Sequence, residues 1–580
     1  MGRIGVQSQK NILYIFSGIH FLAACLASRN FFRPVRDGAG SENIAYKFLE
    51  TGERLSEDVL SRTLCQVYSY VLAFLLLLVF WKTVFRLVEL WKKKEIPHVY
   101  LGMYVSLVLI GIAVIAIAYP ETVVEATDTT WNYVYAKEWL PIYWHGYLTN
   151  VIHCACMILC PHPISMSVIP FLFGITEICY FMYLTIVQCT SGGKAFKTIL
   201  WAVFLLLMPE TFRVLTYAGR NYMFALLSVG YVGTFLTDYI HKKELSKSRF
   251  MVLVVLALVL ATWRSEGILY LVFFPLLIYF TYFVREGKRS EVPGLKNIVK
   301  AITVMLVLYL ILALPGKYGS EKYQGMDYVI INTPSPLSAV FCEEETDLTY
   351  DGAQEDLDTV FSVIPRTYFE KYGRMAQFYY NFDNFWSPRQ SHAGELGEKY
   401  VFASYRLLAH NLDVYLKNQI NFYTGSIGFD SVFEIQEVQP EDWILNRTEE
   451  AAEWFDWIWG YFSIGENDIS VNHDIVIINE GVDAWLGNLI LSALNKIYDI
   501  GWTLSGYVKI TVSIAVLCIC ISCLLKKEWT FFFVGVLILG LLAAIILTAP
   551  TMRENYYYSP YFNQYWYLLC FICYKNKKKN

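Results

Sequence analysis

Ionisable side chains beside long apolar runs are where this sequence could do chemistry, because placing charge next to hydrocarbon is costly and needs a reason. One such place follows Tyr119 and Pro120, where Glu121, Glu125 and Asp128 precede Trp131, Lys137, Trp139, Trp144 and His145. Asp128 has the chemistry of a general base that takes the proton of an attacking hydroxyl. It also has the side chain of an N-cap for a helix starting at Thr129 or Thr130. A second place is Pro209-Glu210 with Arg213, Arg220 and Asn221 before a new apolar run. Arginine offers a planar set of donors suited to phosphate oxygens and is always charged, although arginines at a bilayer interface also snorkel for purely physical reasons. The third is Trp263-Arg264-Ser265-Glu266-Gly267, a charged pair in a tight turn that could equally be structural. The fourth is Pro550-Thr551-Met552-Arg553-Glu554, followed by Tyr556, Tyr557 and Tyr558. An interfacial tyrosine belt accounts for those aromatics but not for Arg553.

Other constellations carry less. His153, Cys154, Cys156, Cys160 and His162 are metal ligands by type, but their spacing fits no zinc pattern and the cysteines lie in an apolar run. Gly192-Gly193-Lys194 lacks the rest of a phosphate-binding loop, and Asn446-Arg447-Thr448 is a formal glycosylation acceptor. Nucleic acid is not an expected partner at a formal net charge of -4.

The elements that must position these residues follow from composition. Of 580 residues, 56% are hydrophobic and only 17% charged, against roughly 25% charged in a soluble chain. A helix needs about 20 apolar residues to cross a bilayer, and such runs are expected at 11–28, 66–86, 99–118, 165–189, 198–213, 221–240, 250–264, 267–285, 298–315, 505–525, 528–549 and 560–574. Short basic loops stay cytoplasmic. Lys92–Lys94, Lys194 and Lys197, Lys242–Arg249, Arg285–Arg289, Lys526–Lys527 and Lys575–Lys579 make every second loop basic. This alternation places both termini inside and requires that Tyr147–Cys160 be re-entrant or interfacial. The acidic segment 316–504 then lies outside as a mainly helical domain, with amphipathic stretches at Val401–Tyr423 and Glu449–Tyr461. The expected fold class is all-α and polytopic, with about 12 transmembrane helices. All four charged places fall on its outer face.

In order along the chain, Tyr119-Pro120, Asp128, Trp144-His145-Gly146-Tyr147, Met208-Pro209-Glu210, Arg220-Asn221, Trp263-Arg264-Ser265-Glu266-Gly267 and Ala549-Pro550 through Arg553 and Tyr556 resemble the GT-C superfamily of membrane glycosyltransferases. The resemblance is to a bacterial branch related to protein O-mannosyltransferases and aminoarabinose transferases, and it covers about residues 99–285 and 505–574. It implies a GT-C-like core at 99–315 with its first outer loop at 119–164, and closing helices with a basic tail at 505–580, whereas the extra helices with an outer loop at 1–98 and the outer domain at 316–504 come from the span pattern and are not explained by the resemblance.

It further implies a polyprenyl-phosphate sugar donor and a glycan, lipid or protein acceptor in the cell envelope. Asp128 would be the catalytic base, and His145, Glu210, Arg220, Arg264 and Arg553 would bind substrate and phosphate. Many relatives carry Asp where Asn221 stands, and often a second acid where Thr129 stands, so a divalent cation is left open. Two other readings are a polysaccharide polymerase or ligase, and a lipid or polysaccharide transporter. The scarcity of Asp, Glu and Lys inside the spans speaks against ion-driven transport.

Overall fold

The computed structural model describes residues 6–32, 59–93, 98–117, 147–162, 164–189, 219–285, 288–289, 295–319, 333–342, 346–364, 395–427, 506–549 and 554–579, with single positions around 132–141, 193, 197, 366 and 369. The described chain is helical apart from a two-residue antiparallel ladder, Val284–Arg285 with Lys288–Arg289.

Among the described residues, seven helices are long and apolar enough to cross a membrane: Asn11–Ser28, Val59–Lys92, Ser165–Ile186, Arg220–Ile240, Ser265–Phe283, Gly506–Leu525 and Trp529–Thr548. This marks a membrane protein. Three further expected runs are helical but shorter in their apolar part or overall: Tyr100–Ala116, Ile302–Gly316 and Lys247–Trp263. The run expected at 198–213 lies outside the described residues. Tyr147–Leu159 is a helix of 13 residues, only about 20 Å long, too short to span with ease.

The elements used below are α1 (Val6–Ser28), α2 (Val59–Lys92), α3 (His98–Ile117), α4 (Tyr147–Leu159), α5 (Ser165–Met182), α6 (Arg220–Ile240), α7 (Lys247–Trp263), α8 (Ile268–Ile278), α9 (Leu295–Gly319), α10 (Pro334–Cys342), α11 (Ala353–Val363), α12 (Glu395–His410) and α13 (Leu412–Ser426). The series closes with α14 (Gly506–Leu525), α15 (Trp529–Thr548) and α16 (Tyr558–Lys579). Helix α6 is the hub, 89% buried over its apolar window, against 11% for α2. It packs on α16, α7, α15 and α5. Helix α16 is rich in Tyr and ends in lysines, which keeps it from registering as an apolar span, yet its Tyr561, Tyr565, Trp566 and Cys570 are buried against this centre. At the periphery α1 and α2 clasp α4, with Phe32 stacked on Trp139 at 4.0 Å and the Asn150 amide donating to the Leu140 carbonyl at 2.8 Å.

The chain path gives the bundle two unlike ends. At one, buried Asp238 accepts from Arg249 Nη1 at 2.9 and 3.0 Å and from the Tyr282 hydroxyl at 2.5 Å, with Lys243 at 3.6 Å. Beside it Glu528 holds Lys575 at 2.7 Å and Lys578 at 3.7 Å. Buried carboxylates at a helix end need such cations, because an unpaired charge there is strongly destabilising. The opposite end, reached by α6 at Asn221 and by α7 at Arg264, holds the site below.

Within 316–504 the described residues are mainly helical, with 346–352 a non-helical stretch. Helices α10 to α13 share a core of Leu337, Val340, Val360, Val363, Tyr400 and Leu407. The amphipathic stretch expected at Val401–Tyr423 is two helices. Asn411 breaks it by accepting from the Asp347 amide at 2.7 Å and donating to the carbonyls of Leu407 and Asp347 at 2.9 and 3.1 Å. The stretch Glu449–Tyr461 lies outside the described residues. Helix α13 ties this unit to the bundle: Gln419 Nε2 donates to the carbonyls of Leu547 and Ala549 at 2.8 and 3.4 Å, and Tyr415 donates to Leu547. These are carbonyls that the C-terminus of α15 leaves without helical partners.

Candidate functional site

The turn after α7 aims Arg264. Its tightness depends on Gly267, because the carbonyl oxygen of Leu260 occupies the place where a β-carbon would stand. Trp263 is buried and its indole N–H donates to the Arg220 carbonyl at 3.1 Å, which fixes the turn against the start of α6. Arg264 then donates from Nε to Glu266 and from Nη1 to Asn221. Its guanidinium lies 5.4 Å from the Tyr556 ring and 5.8 Å from the Phe224 ring, within reach of cation–π attraction. The side chains of Arg264 and Glu266 are only 9% and 7% exposed. Glu266 also accepts from the Ser265 hydroxyl at 3.2 Å.

Beneath this pair the bundle interior is polar. Ser559 donates to Ser228 at 2.9 Å, Asn563 Nδ2 donates to Ser228 at 2.8 Å, and the Tyr270 hydroxyl lies 3.5 Å from Ser559. Tyr222 stacks on Tyr558 at 5.3 Å. The aromatic wall continues from Tyr556 to Tyr557, whose ring meets Tyr423 of α13 at 5.5 Å. Tyr423 in turn accepts from the Tyr561 hydroxyl at 2.7 Å. Lys509, 2% exposed, stands over the Tyr561 ring at 5.5 Å, and Ser513 one turn on donates to Gln564 at 2.9 Å. Burial pushes the phenols of Tyr423 and Tyr557 up from the usual tyrosine range, so both keep their protons at neutral pH.

Of the residues expected from sequence, the structure brings Arg264, Asn221, Glu266, the Arg220 backbone and Tyr556 together. Asp128, His145, Glu210 and Arg553 lie outside the described residues. Sequence reasoning passed over Phe224, the Ser228–Tyr270–Ser559–Asn563 network and Lys509. Their signal was present: Asn563 and Gln564 interrupt the run at 560–574, and Lys509 interrupts the one at 505–525. Cys154 and Cys156 are buried in α4, and among the described residues no group of three His, Cys, Asp or Glu side chains is placed to hold a metal ion.

Chemically, the arrangement is a guanidinium held in a fixed plane by a carboxylate and an amide, between two rings, above a buried layer of hydroxyls and amides. Such a plane suits bidentate contact with an oxyanion through the guanidinium N–H groups that Glu266 and Asn221 do not take. Comparisons with protein-family models, with curated proteins and with solved structures find no match to this chain.

Proposed function

We propose that this chain is a GT-C-type membrane glycosyltransferase, with about twelve spans and both termini in the cytoplasm. It would move a sugar from a polyprenyl phosphate to a glycan, lipid or protein of the cell envelope on the extracytoplasmic face. The observation that carries this reading is the separation of ends. Arg264, Asn221 and Tyr556 gather where α6, α7 and α16 meet, while Lys243, Arg249, Lys575 and Lys578 gather at the other extremity of the same helices. Basic ends face the cytoplasm, so the arginine site faces away from it. The outer unit α10–α13 docks on the C-terminal end of α15, on that same side.

In this reaction the acceptor oxygen attacks the anomeric carbon with inversion while its proton passes to Asp128. The sugar–phosphate C–O bond breaks with its electron pair going to the leaving polyprenyl phosphate. Arg264, with Arg220 and Arg553, stabilises the charge that grows on that phosphate.

The test is transfer from a radiolabelled polyprenyl-phosphate sugar in membranes carrying the full chain. Asp128→Asn is expected to lower turnover by about 10²–10⁴-fold. Unchanged turnover at a normal protein level would remove the proposed role.

A further inference from the structure

Glu177 is a carboxylate near the middle of the apolar span Ser165–Ile186, and the chemistry above does not use it. It lies against the middle of α6, where its Oε1 occupies the place that a β-carbon on residue 230 would take, so only Gly230 admits it. It is half-buried and makes no hydrogen bond or ion pair with any described residue. Tyr104 and Tyr231 on the packed elements are engaged elsewhere, and α4, which also packs on α5, carries Tyr147, His153, Cys154 and Cys156. Tyr104 of α3 shares a hydrogen bond with Thr176 at 2.7 Å, the Cys179 thiol belongs to α5 itself, and the Tyr231 hydroxyl of α6 donates to the Tyr270 carbonyl at 2.9 Å. Between their ends, α3, α5 and α6 contain no Lys or Arg.

An acidic side chain inside a span is costly unless its charge is met, and such residues mark ion or proton sites. A metal cation would need several oxygen ligands, and among the described residues Glu177 belongs to no cluster of ligating side chains. The Gly230 carbonyl beside it is already taken by its own helix and by Thr234, which donates to it at 2.6 Å. A proton needs a single lone pair. We propose that Glu177 is a proton-binding site within the bundle, taking up a proton from the aqueous phase to form the carboxylic acid that packs against Gly230.

The test is carbodiimide labelling of the full chain in lipid nanodiscs, read by mass spectrometry of the Glu177 peptide. A carboxylic acid protonates the carbodiimide nitrogen and its oxygen adds to the central carbon, giving an adduct that rearranges to a stable N-acylurea. The expected result is labelling by membrane-soluble dicyclohexylcarbodiimide well above that of the exposed Glu355, with little labelling by a water-soluble carbodiimide. Labelling should fall about tenfold per pH unit once the group has titrated, and Glu177→Gln should abolish it. Gly230→Ala, which forces the carboxyl to move, should change the labelling rate without lowering the yield of folded protein to zero. Labelling no greater than at Glu355, or equal labelling by both reagents at every pH, would overturn the proposal.

Discussion

Replacing Arg264 by Met separates the two roles that sequence left open for it, structural clamp and anion ligand. The side chain is 9% exposed and its partner Glu266 7%, so removing the guanidinium leaves a nearly buried carboxylate without its cation. Breaking one side of such a pair costs about 3–5 kcal/mol. In the double variant Arg264→Met with Glu266→Gln the orphaned charge is gone. The remaining loss is the hydrogen bond to Asn221, about 1.5–3 kcal/mol for a charged donor, and the ring contacts with Tyr556 and Phe224, about 1 kcal/mol. The double variant should therefore recover about 0.5–1 kcal/mol relative to the single one. The assay is unfolding free energy by steric trapping in bicelles, run beside sugar transfer in nanodiscs. Recovered stability with transfer still absent assigns the guanidinium to the anion. Recovery of both assigns it to the turn alone. A single variant as stable as the parent would refute the reasoning, because it would mean that Glu266 is not held as a buried charge.

Three further outcomes follow from the same geometry. Arg249→Met takes the nearer cation from the fully buried Asp238 and leaves it only Lys243 at 3.6 Å, which should destabilise by about 3 kcal/mol, whereas Tyr282→Phe removes one hydrogen bond to that carboxylate and should cost about 1.5–3 kcal/mol; chemical unfolding of both variants checks the order. His241 donates from Nε2 to the Leu184 carbonyl at 2.8 Å and presents Nδ1 to Lys577 at 3.5 Å. Burial first, then Lys577 and Lys243, holds its imidazole below the ordinary histidine range. The native state is therefore the one that resists protonation, so this contribution is present above about pH 6.5 and lost as pH falls below it. Stability measured between pH 7.5 and 5.5 should drop in the parent and flatten in His241→Asn. Gln419→Ala takes the side-chain donor from the Ala549 carbonyl and leaves the Leu547 carbonyl with Tyr415 alone; it should loosen α13 by about 1 kcal/mol, visible as faster amide hydrogen exchange in 412–426.

The long apolar runs, the alternation of basic loops and the mainly helical character of the described part of 316–504 were legible in the amino-acid order, because each is a local property of composition. A run such as Trp529–Thr548 needs no partner to be recognised as a helix that prefers hydrocarbon. The turn at Arg264 was legible for a similar reason, since Trp-Arg-Ser-Glu-Gly between two such runs has nowhere to go but an interface. The expected span at 560–574 shows the limit. Its tyrosines, Asn563 and Gln564 weaken the apolar signal, yet its helix packs on α6 with Tyr561, Tyr565, Trp566 and Cys570 in the shared core.

Sequence alone determined where the long apolar helices of the described residues run, where charge collects and which loops share a sign. Tertiary structure decided that Asn221 and Arg264 meet across 43 positions, that α6 is the centre and α2 the rim, and that Glu177 rests on Gly230. Lipid is as apolar as leucine, so a helix facing lipid and one facing other helices can share one composition, and hydropathy carries no record of which is which. Only close packing of particular side chains, read in three dimensions, distinguishes them.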